Sequence, residues 1–217
     1  MSVVVVVLVL AGGAVAADVV ARDRVEARLA QEVTAGFGLE SPPDVEIAGT
    51  AFLPQVIGGS VERVDVAAPR ATIGELPMED VELTLLEVAP REPYVAQTFE
   101  FVGLVPLASA QELTPEGLEL RIEDGAVVVV AQVLGLELEA RATPVADGRA
   151  VVAQIESLSL GGVSVEVADL PAPVAGAIEE VRIPFDGLPE GVELTEVVVA
   201  TEGFRVRAAG QDVALLP

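Results

Sequence analysis

Four segments of this chain alternate apolar and polar residues with a period of two, and this pattern constrains the fold more than any other feature. They are Val81–Leu85, Leu118–Ile122, Val163–Val167 and Phe204–Ala208. A period of two puts the apolar side chains on one face of a strand, which is typical of antiparallel sheets covered on one side. Val127–Val130 is apolar at every position and predicts a central strand. With the glycine turns between segments, these signals predict about nine or ten strands.

Helical spacing occurs before the strands begin. Val25, Leu29 and Val33 recur at every fourth position within Asp18–Ala35, and Gly36 follows as a helix breaker. The pattern predicts a charged helix with one narrow apolar stripe that lies on another element.

A second, short helix is predicted within Pro171–Ile183. Pro173 suits a first helical turn, and Val174 and Ile178 fall at helical spacing. The predicted fold class is therefore α+β, with an N-terminal helix and a short second helix packed on a curved, mostly antiparallel β-sheet that encloses an apolar groove.

The chain opens with an apolar run. Val3–Ala17 contains only apolar and small residues, and Asp18 is the first charge. The run is short for a spanning helix, which needs about 20 residues, and it resembles the hydrophobic region of a signal peptide. Ala14–Ala16 has the small residues of a cleavage site. We predict that residues 1–17 form a signal peptide or a membrane anchor and that residues 18–217 form an extracytoplasmic domain.

Composition excludes several classes of function. The chain has 35 acidic residues, 12 basic residues that are all Arg, and no His or Cys. Imidazole bases, thiol nucleophiles, zinc-thiolate sites and lysine Schiff bases are therefore excluded. The net charge of −23 argues against nucleic acid as a partner. The acidic pairs lie beside turns and no stretch has a calcium-loop pattern, so we expect no catalytic residue, no metal site and no cofactor.

Two segments combine bulky apolar residues with Gly and Pro, a composition typical of surface loops. They are Gly49–Gly59 and Phe99–Leu107. They either pack into the core as lids or edge strands, or line the mouth of an apolar groove. An aliphatic groove suits an acyl chain, which needs only non-directional contact. The predicted lining residues are Phe52, Leu53, Val56, Ile57, Phe99, Phe101, Leu104 and Val105, with Val25 and Leu29 from the first helix and Val174 and Ile178 from the second.

The order of these features resembles the LmeA-type family of phospholipid-binding envelope proteins of actinobacteria. The resemblance rests on the charged helix Asp18–Ala35, on Phe52–Gln55 followed by Asp80–Leu85, and on Leu188–Leu194 near the C-terminal end. It implies an extracytoplasmic protein that binds phospholipid, phosphoinositides in the mycobacterial case, and supports lipoglycan or envelope assembly. It also implies a fold like the tubular lipid-binding superfamily, with a long helix along a twisted sheet.

The resemblance makes a membrane and a phospholipid the expected partners. Arg22, Arg24 and Arg28 are the predicted headgroup contacts, because a guanidinium binds phosphate well. The alternative for these residues is ion pairing along the helix. Two other functions stay open: a non-enzymatic scaffold or adhesion domain with a filled core, and a glycan hydrolase with two carboxyl groups about 5 to 10 Å apart.

Overall fold

The computed structural model describes residues 2–37, 39, 41–112, 114, 117–133, 135–165 and 182–215. Within this part of the chain there are three helices and twelve strands. The helices are α1 (Ser2–Phe37), α2 (Phe52–Gly58) and α3 (Leu107–Glu112). The strands are β1 (Asp44–Ala48), β2 (Val61–Ile73), β3 (Leu76–Val88), β4 (Val95–Pro106), β5 (Leu118–Glu123), β6 (Ala126–Val133), β7 (Leu136–Asp147), β8 (Ala150–Leu160), β9 (Val163–Val165), β10 (Arg182–Pro184), β11 (Val192–Ala200) and β12 (Gly203–Ala214).

The strands form two open antiparallel sheets instead of the one curved sheet that the sequence predicts. Sheet 1 has the order β1-β2-β3-β4-β12-β11, and sheet 2 has the order β10-β8-β7-β6-β5 with β9 paired to β8. The mostly antiparallel β-structure is confirmed. The apolar segment Val127–Val130 lies in β6, between β5 and β7, and is a central strand as predicted.

Register places the apolar residues of sheet 1 on one face. Val64 pairs with Leu85, Leu85 with Phe99, and Phe99 with Gly210, so these side chains share a face. The buried residues on this face belong to one hydrophobic cluster, which we call the inner-face cluster. The other face is charged, because Asp65, Thr84 and Glu100 form the neighbouring row of paired residues. The period of two thus follows from burial of one side of sheet 1.

The segment Phe99–Leu107 is a strand and not a loop. β4 lies between β3 and β12 in the middle of sheet 1. Gly103 serves packing there, because a Cβ at this position would come within 2.6 Å of the Met78 Cε atom. A glycine that leaves room for a neighbouring side chain has the same sequence signature as a turn glycine, so the composition did not distinguish a central strand from a lid, an edge strand or the mouth of a groove.

The segment Gly49–Gly59 contains the helix α2. Pro54 is its third residue, where no intrahelical N–H bond is lost, because the first four N–H groups of a helix have no helical acceptor. Gly59 ends the helix in the left-handed conformation with φ of 87°, and its N–H bonds to Gln55 O. Proline and glycine therefore begin and end a short helix here.

Helix α1 ends at Phe37, close to the predicted end at Ala35. Within the described residues, no helix combines the length and the apolar character needed to cross a membrane. The predicted second helix falls largely on residues 166–181, which lie outside the described part of the chain. Ile183 belongs to the strand β10 and not to a helix.

Arg149 connects the β7–β8 turn to the segment before β11. Its Nη1 atom donates to Pro189 O at 2.7 Å and to Val192 O at 3.1 Å, and its Nη2 atom donates to Leu188 O at 2.6 Å. Leu194 N donates to the neighbouring Gly148 O at 2.7 Å. One guanidinium thus satisfies three carbonyl groups where the two sheets meet.

We expect Arg149→Gln to lower the free energy of unfolding by about 1–3 kcal/mol, because charge-assisted hydrogen bonds to three carbonyls are lost. Urea denaturation followed by circular dichroism measures the change. Arg205→Gln is the matched control. Arg205 is exposed, and within the described residues its guanidinium forms no hydrogen bond or ion pair, so the expected change is below about 0.5 kcal/mol. Equal losses in both variants would show that net charge, and not the carbonyl contacts, matters.

Candidate functional site

Asp18 of α1 holds the N-terminal end of α2. Its Oδ2 atom accepts from Phe52 N at 2.9 Å and its Oδ1 atom accepts from Leu53 N at 2.7 Å. The residue before α2 is Ala51, which has no side-chain oxygen and supplies no cap. Asp18 therefore performs from another helix the function of an N-cap residue, and its negative charge lies at the positive end of α2.

These contacts lower the pKa of Asp18. The Phe52 N–H has the largest effect, the Leu53 N–H the next largest, and the guanidinium of Arg22 adds a smaller one. Because the pKa in the folded state is below the unfolded value of about 4, this docking is stabilised above pH 4 and is lost as the pH falls through the folded-state pKa.

We expect the amide protons of Phe52 and Leu53 to exchange several-fold faster, relative to their intrinsic rates, as the pH is lowered below about 4. Pulsed hydrogen exchange measures this for the two amides. Asp18→Asn keeps one acceptor oxygen and does not titrate, so exchange at these amides should be faster than in the parent chain and independent of this titration. An unchanged acid response in Asp18→Asn would show that another group controls α2.

Two further charged residues of α1, Arg22 and Glu26, bind backbone groups in and beside β1. Together with Asp18 they form what we call the polar stripe of α1. Glu26 Oε1 accepts from Ile47 N at 2.8 Å, and Arg22 Nη2 donates to Gly49 O at 2.8 Å. Arg22 also lies 3.9 Å from Asp18 Oδ2. A spacing of four residues puts Asp18, Arg22 and Glu26 on one side of the helix. Charged residues that would suit a solvated surface therefore bind backbone groups of neighbouring elements.

The apolar stripe of α1 lies beside this polar stripe. Val25 and Leu29, both predicted lining residues, are half-buried and pack against the inner-face cluster together with Ala21 and Ala30. The helix thus supplies aliphatic side chains and backbone-binding charges to the same side of the domain.

Five of the other ten predicted lining residues meet in the same cluster. Phe52, Phe99, Phe101 and Val105 are buried members, and Val56 packs against it. Residues from α1, α2 and β4 that are far apart in the sequence therefore share one apolar interior.

The remaining predicted lining residues lie elsewhere. Leu104 is buried but is not a member of the inner-face cluster, because neighbouring residues of a strand point to opposite faces. Leu53 and Ile57 are exposed on α2. Val174 and Ile178 fall outside the described residues.

The three predicted headgroup residues differ in their surroundings. Arg22 is half-buried and bound to Gly49 O, and Arg28 Nε forms an exposed ion pair with Glu32 at 2.8 Å. Arg24 is exposed, and within the described part of the chain its guanidinium forms neither a hydrogen bond nor an ion pair. Of the three, Arg24 has the guanidinium most available to a phosphate.

An open depression of about 280 Å³ lies on sheet 2, and none of the predicted lining residues that the structure describes borders it. It is lined by Gly117, Leu118, Glu119, Val130, Ala131, Gln132 and Glu137. Its volume is below the usual range for small-molecule sites, about 300–1,000 Å³, and two carboxylates border it. An acyl chain would gain little there, so the inner-face cluster is the better candidate site.

The carboxyl groups with shifted pKa values suit structural roles. The pKa of Asp65 is lowered, first by the hydrogen bond from Arg63 at 2.7 Å and then by one from Thr84. A general acid needs a raised pKa, so the lowered pKa values of Asp18 and Asp65 favour carboxylates that are ionised at neutral pH and have structural roles. No group of three acidic residues suited to a metal ion occurs within the described ranges.

Comparison with protein families decides the classification. A family model described as LmeA-like phospholipid-binding matches residues 16–209. The chain belongs to this family. No curated protein and no solved structure matches the chain. The resemblance drawn from the sequence is confirmed, and membership places the chain in a lipid-binding family.

The LmeA-like match covers every contact described for the candidate site. It begins before Asp18 and includes α2, β4 and the other strands of sheet 1 except for the last five residues of β12. The polar stripe of α1 is thus part of the family domain and not of the preceding apolar run.

Proposed function

We propose that this protein binds phospholipid outside the cytoplasm and holds the acyl chains at the inner-face cluster, between α1 and α2 on one side and sheet 1 on the other. The observation that carries the proposal is the phospholipid-binding family match over residues 16–209. On this proposal the two helices and the sheet enclose an apolar groove. We further propose a supporting role in the assembly of envelope lipids or lipoglycans, without catalysis by this chain.

The chemistry of the cluster supports an acyl chain as the ligand. Val, Ala, Leu and Phe side chains meet there, and no polar or charged side chain is buried among the described residues. Each shielded methylene contributes about 0.8 kcal/mol, so eight methylenes contribute about 6 kcal/mol without any polar contact. Binding of this kind needs no reactive side chain.

Access to the cluster requires a movement of the helices. Phe52 and the predicted lining residues of β4 are buried. The side chains of α1 that contact the rest of the domain are half-buried. On this proposal the polar stripe, and Asp18 above all, is the contact that opens when a lipid enters.

The apolar run at residues 3–17 supports a location at the cell envelope, as a signal peptide or an anchor. Arg22, Arg24 and Arg28 all come after the apolar run, so on this proposal they lie on the same side of the membrane as the domain.

The test of lipid binding uses the full chain extracted in mild detergent. Native mass spectrometry and lipid extraction should show about one phospholipid bound per chain, and added phospholipid should rebind after delipidation. Leu29→Gln should weaken binding about tenfold or more, because a side chain that packs against the cluster loses apolar area. Ala27→Gln, on the exposed side of the same helix, is the matched control. A delipidated chain without affinity for phospholipid would favour a scaffold domain and overturn the proposal.

The headgroup contact is tested separately. We expect Arg24→Gln to lower the affinity for anionic phospholipid about fivefold at low salt, since one cation near an anionic surface contributes about 1 kcal/mol. Arg28→Gln, which removes a cation already paired with Glu32, should have a smaller effect. Titration with fluorescent phosphatidylglycerol in detergent micelles measures both. A larger loss in Arg28→Gln would place the phosphate nearer the C-terminal end of α1, and not at Arg24.

A further inference from the structure

The outer side of α2 is apolar and exposed. Ile57 is 81% exposed and Leu53 is 36% exposed, and their spacing of four puts them on one side of the helix. Phe52 and Val56 face the other way, into or against the inner-face cluster. None of the seven residues Phe52–Gly58 is charged, although the net charge of the chain is −23. An uncharged exposed helix on such an acidic chain is unlike an ordinary solvated surface.

Two exposed apolar residues of α1 follow Asp18 in the chain. Val19 is 51% exposed and Val20 is 46% exposed. They directly follow Asp18, whose carboxylate binds the first two N–H groups of α2. The hydrogen bonds of Asp18 thus hold the N-terminal end of α2 beside the turn of α1 that follows the apolar run.

We propose that Leu53 and Ile57, together with Val19 and Val20, form a membrane-contacting surface that lies in the interfacial region of a phospholipid bilayer. This inference rests on the proposed function and adds the place at which the protein meets the lipid. Short apolar helix faces beside a hydrophobic segment bind at the boundary between headgroups and acyl chains.

Continuity with the apolar run is the reason to choose a bilayer over a protein partner. At about 1.5 Å per residue, Val3–Ala17 is about 22 Å long, which is most of the roughly 30 Å hydrocarbon thickness. When this run lies in the bilayer, the next turn of α1 is at the headgroup level. The Asp18 contacts then hold α2 at that level too.

The position of α2 between the bilayer and the inner-face cluster suggests a route for lipid entry. The outer side contacts the bilayer, and the inner side, through Phe52 and Val56, contacts the inner-face cluster. Helix α2 then separates the acyl chains of the membrane from the proposed binding site. Its displacement lets a lipid pass from one to the other without crossing bulk water.

The test uses the absence of cysteine from the sequence. The variant Ile57→Cys of the full chain is labelled with the environment-sensitive dye NBD and reconstituted into phosphatidylcholine–phosphatidylglycerol vesicles. Val163→Cys is the matched control, because Val163 is also apolar and 68% exposed but lies on β9 of sheet 2. We expect a blue shift and at least twofold quenching by doxyl-labelled lipid at position 57, and neither at position 163.

Water-like emission and no lipid quenching at position 57 would overturn the inference, as would equal quenching at both positions. The labelled protein is then solubilised in mild detergent and separated from the vesicle lipid, and the phospholipid that stays bound to it is counted. A chain that binds phospholipid but leaves position 57 in water loses only the membrane-contacting surface. A chain that shows quenching at position 57 but retains no phospholipid after extraction keeps the surface and loses the proposed function.

Discussion

Phe101→Asp is expected to unfold the domain. Phe101 is 5% exposed on β4, paired with Leu83 of β3 and Ala208 of β12. Loss of a buried Phe costs about 3–5 kcal/mol, and burial of an unpaired carboxylate adds several more. Together these losses are comparable with the whole stability of a typical domain, about 5–15 kcal/mol. Circular dichroism and thermal denaturation at neutral pH should show no cooperative transition.

Ile57→Asp is the control for Phe101→Asp, since Ile57 is exposed and its replacement should change stability by less than about 0.5 kcal/mol. The pair separates the two interpretations of the apolar segments that the sequence leaves open. A Phe101→Asp chain that unfolds cooperatively near the parent temperature, yet binds no phospholipid, would show that Phe101 lines an accessible groove and not a packed core.

Gly203→Ala is expected to lower the free energy of unfolding by about 3–5 kcal/mol. Gly203 begins β12 opposite Pro106 at the end of β4. A Cβ atom there would lie 2.0 Å from Val105 O and 2.9 Å from Leu107 N. All the close atoms belong to backbone, so the clash is relieved only by moving β4 away from β12. Urea denaturation measures the loss.

Gly58→Ala makes the same chemical change without the clash. No atom lies within 4 Å of the added Cβ, and the residue is helical, so stability should stay equal or rise slightly. If Gly203→Ala is also neutral, the start of β12 can move away from β4 at little cost. Phospholipid binding should follow the folded fraction in Gly203→Ala, because the residue lies outside the candidate site.

The strands were predictable because the alternation of apolar and polar residues is visible in each short segment of the sequence. Val81–Leu85 and Phe204–Ala208 alternate, and both lie in strands of sheet 1 with one buried face. The division into two sheets was not predictable, because it depends on which strands form hydrogen bonds with one another, and the alternation does not specify the partners. Arg149 contacts carbonyl groups about 40 residues further along the chain, and no spacing rule anticipates such contacts.

The helix α2 was missed for a similar reason. Ala51 gives no capping signal, and the acceptor for the Phe52 and Leu53 amides is Asp18, which is 34 and 35 residues earlier. Seven of the twelve predicted lining residues belong to the inner-face cluster or pack against it, because aliphatic composition is a property of sequence. Their contact with lipid stays a prediction. Which of them are buried and which are exposed depends on the helix position of Ile57 and on the strand position of Phe101, and only the structure supplies both.

The position of the polar stripe of α1 has a consequence for the predicted cleavage of the signal peptide. Its first contact is at Asp18, and the small-residue stretch Ala14–Ala16 comes before it. A peptidase that cuts after Ala16 leaves Asp18, Arg22 and Glu26 with their backbone partners. If residues 1–17 are a cleaved signal peptide, as we propose, the matured and the unprocessed chain share the same α1–α2 contacts, and only the apolar run that would hold α2 at a bilayer is lost.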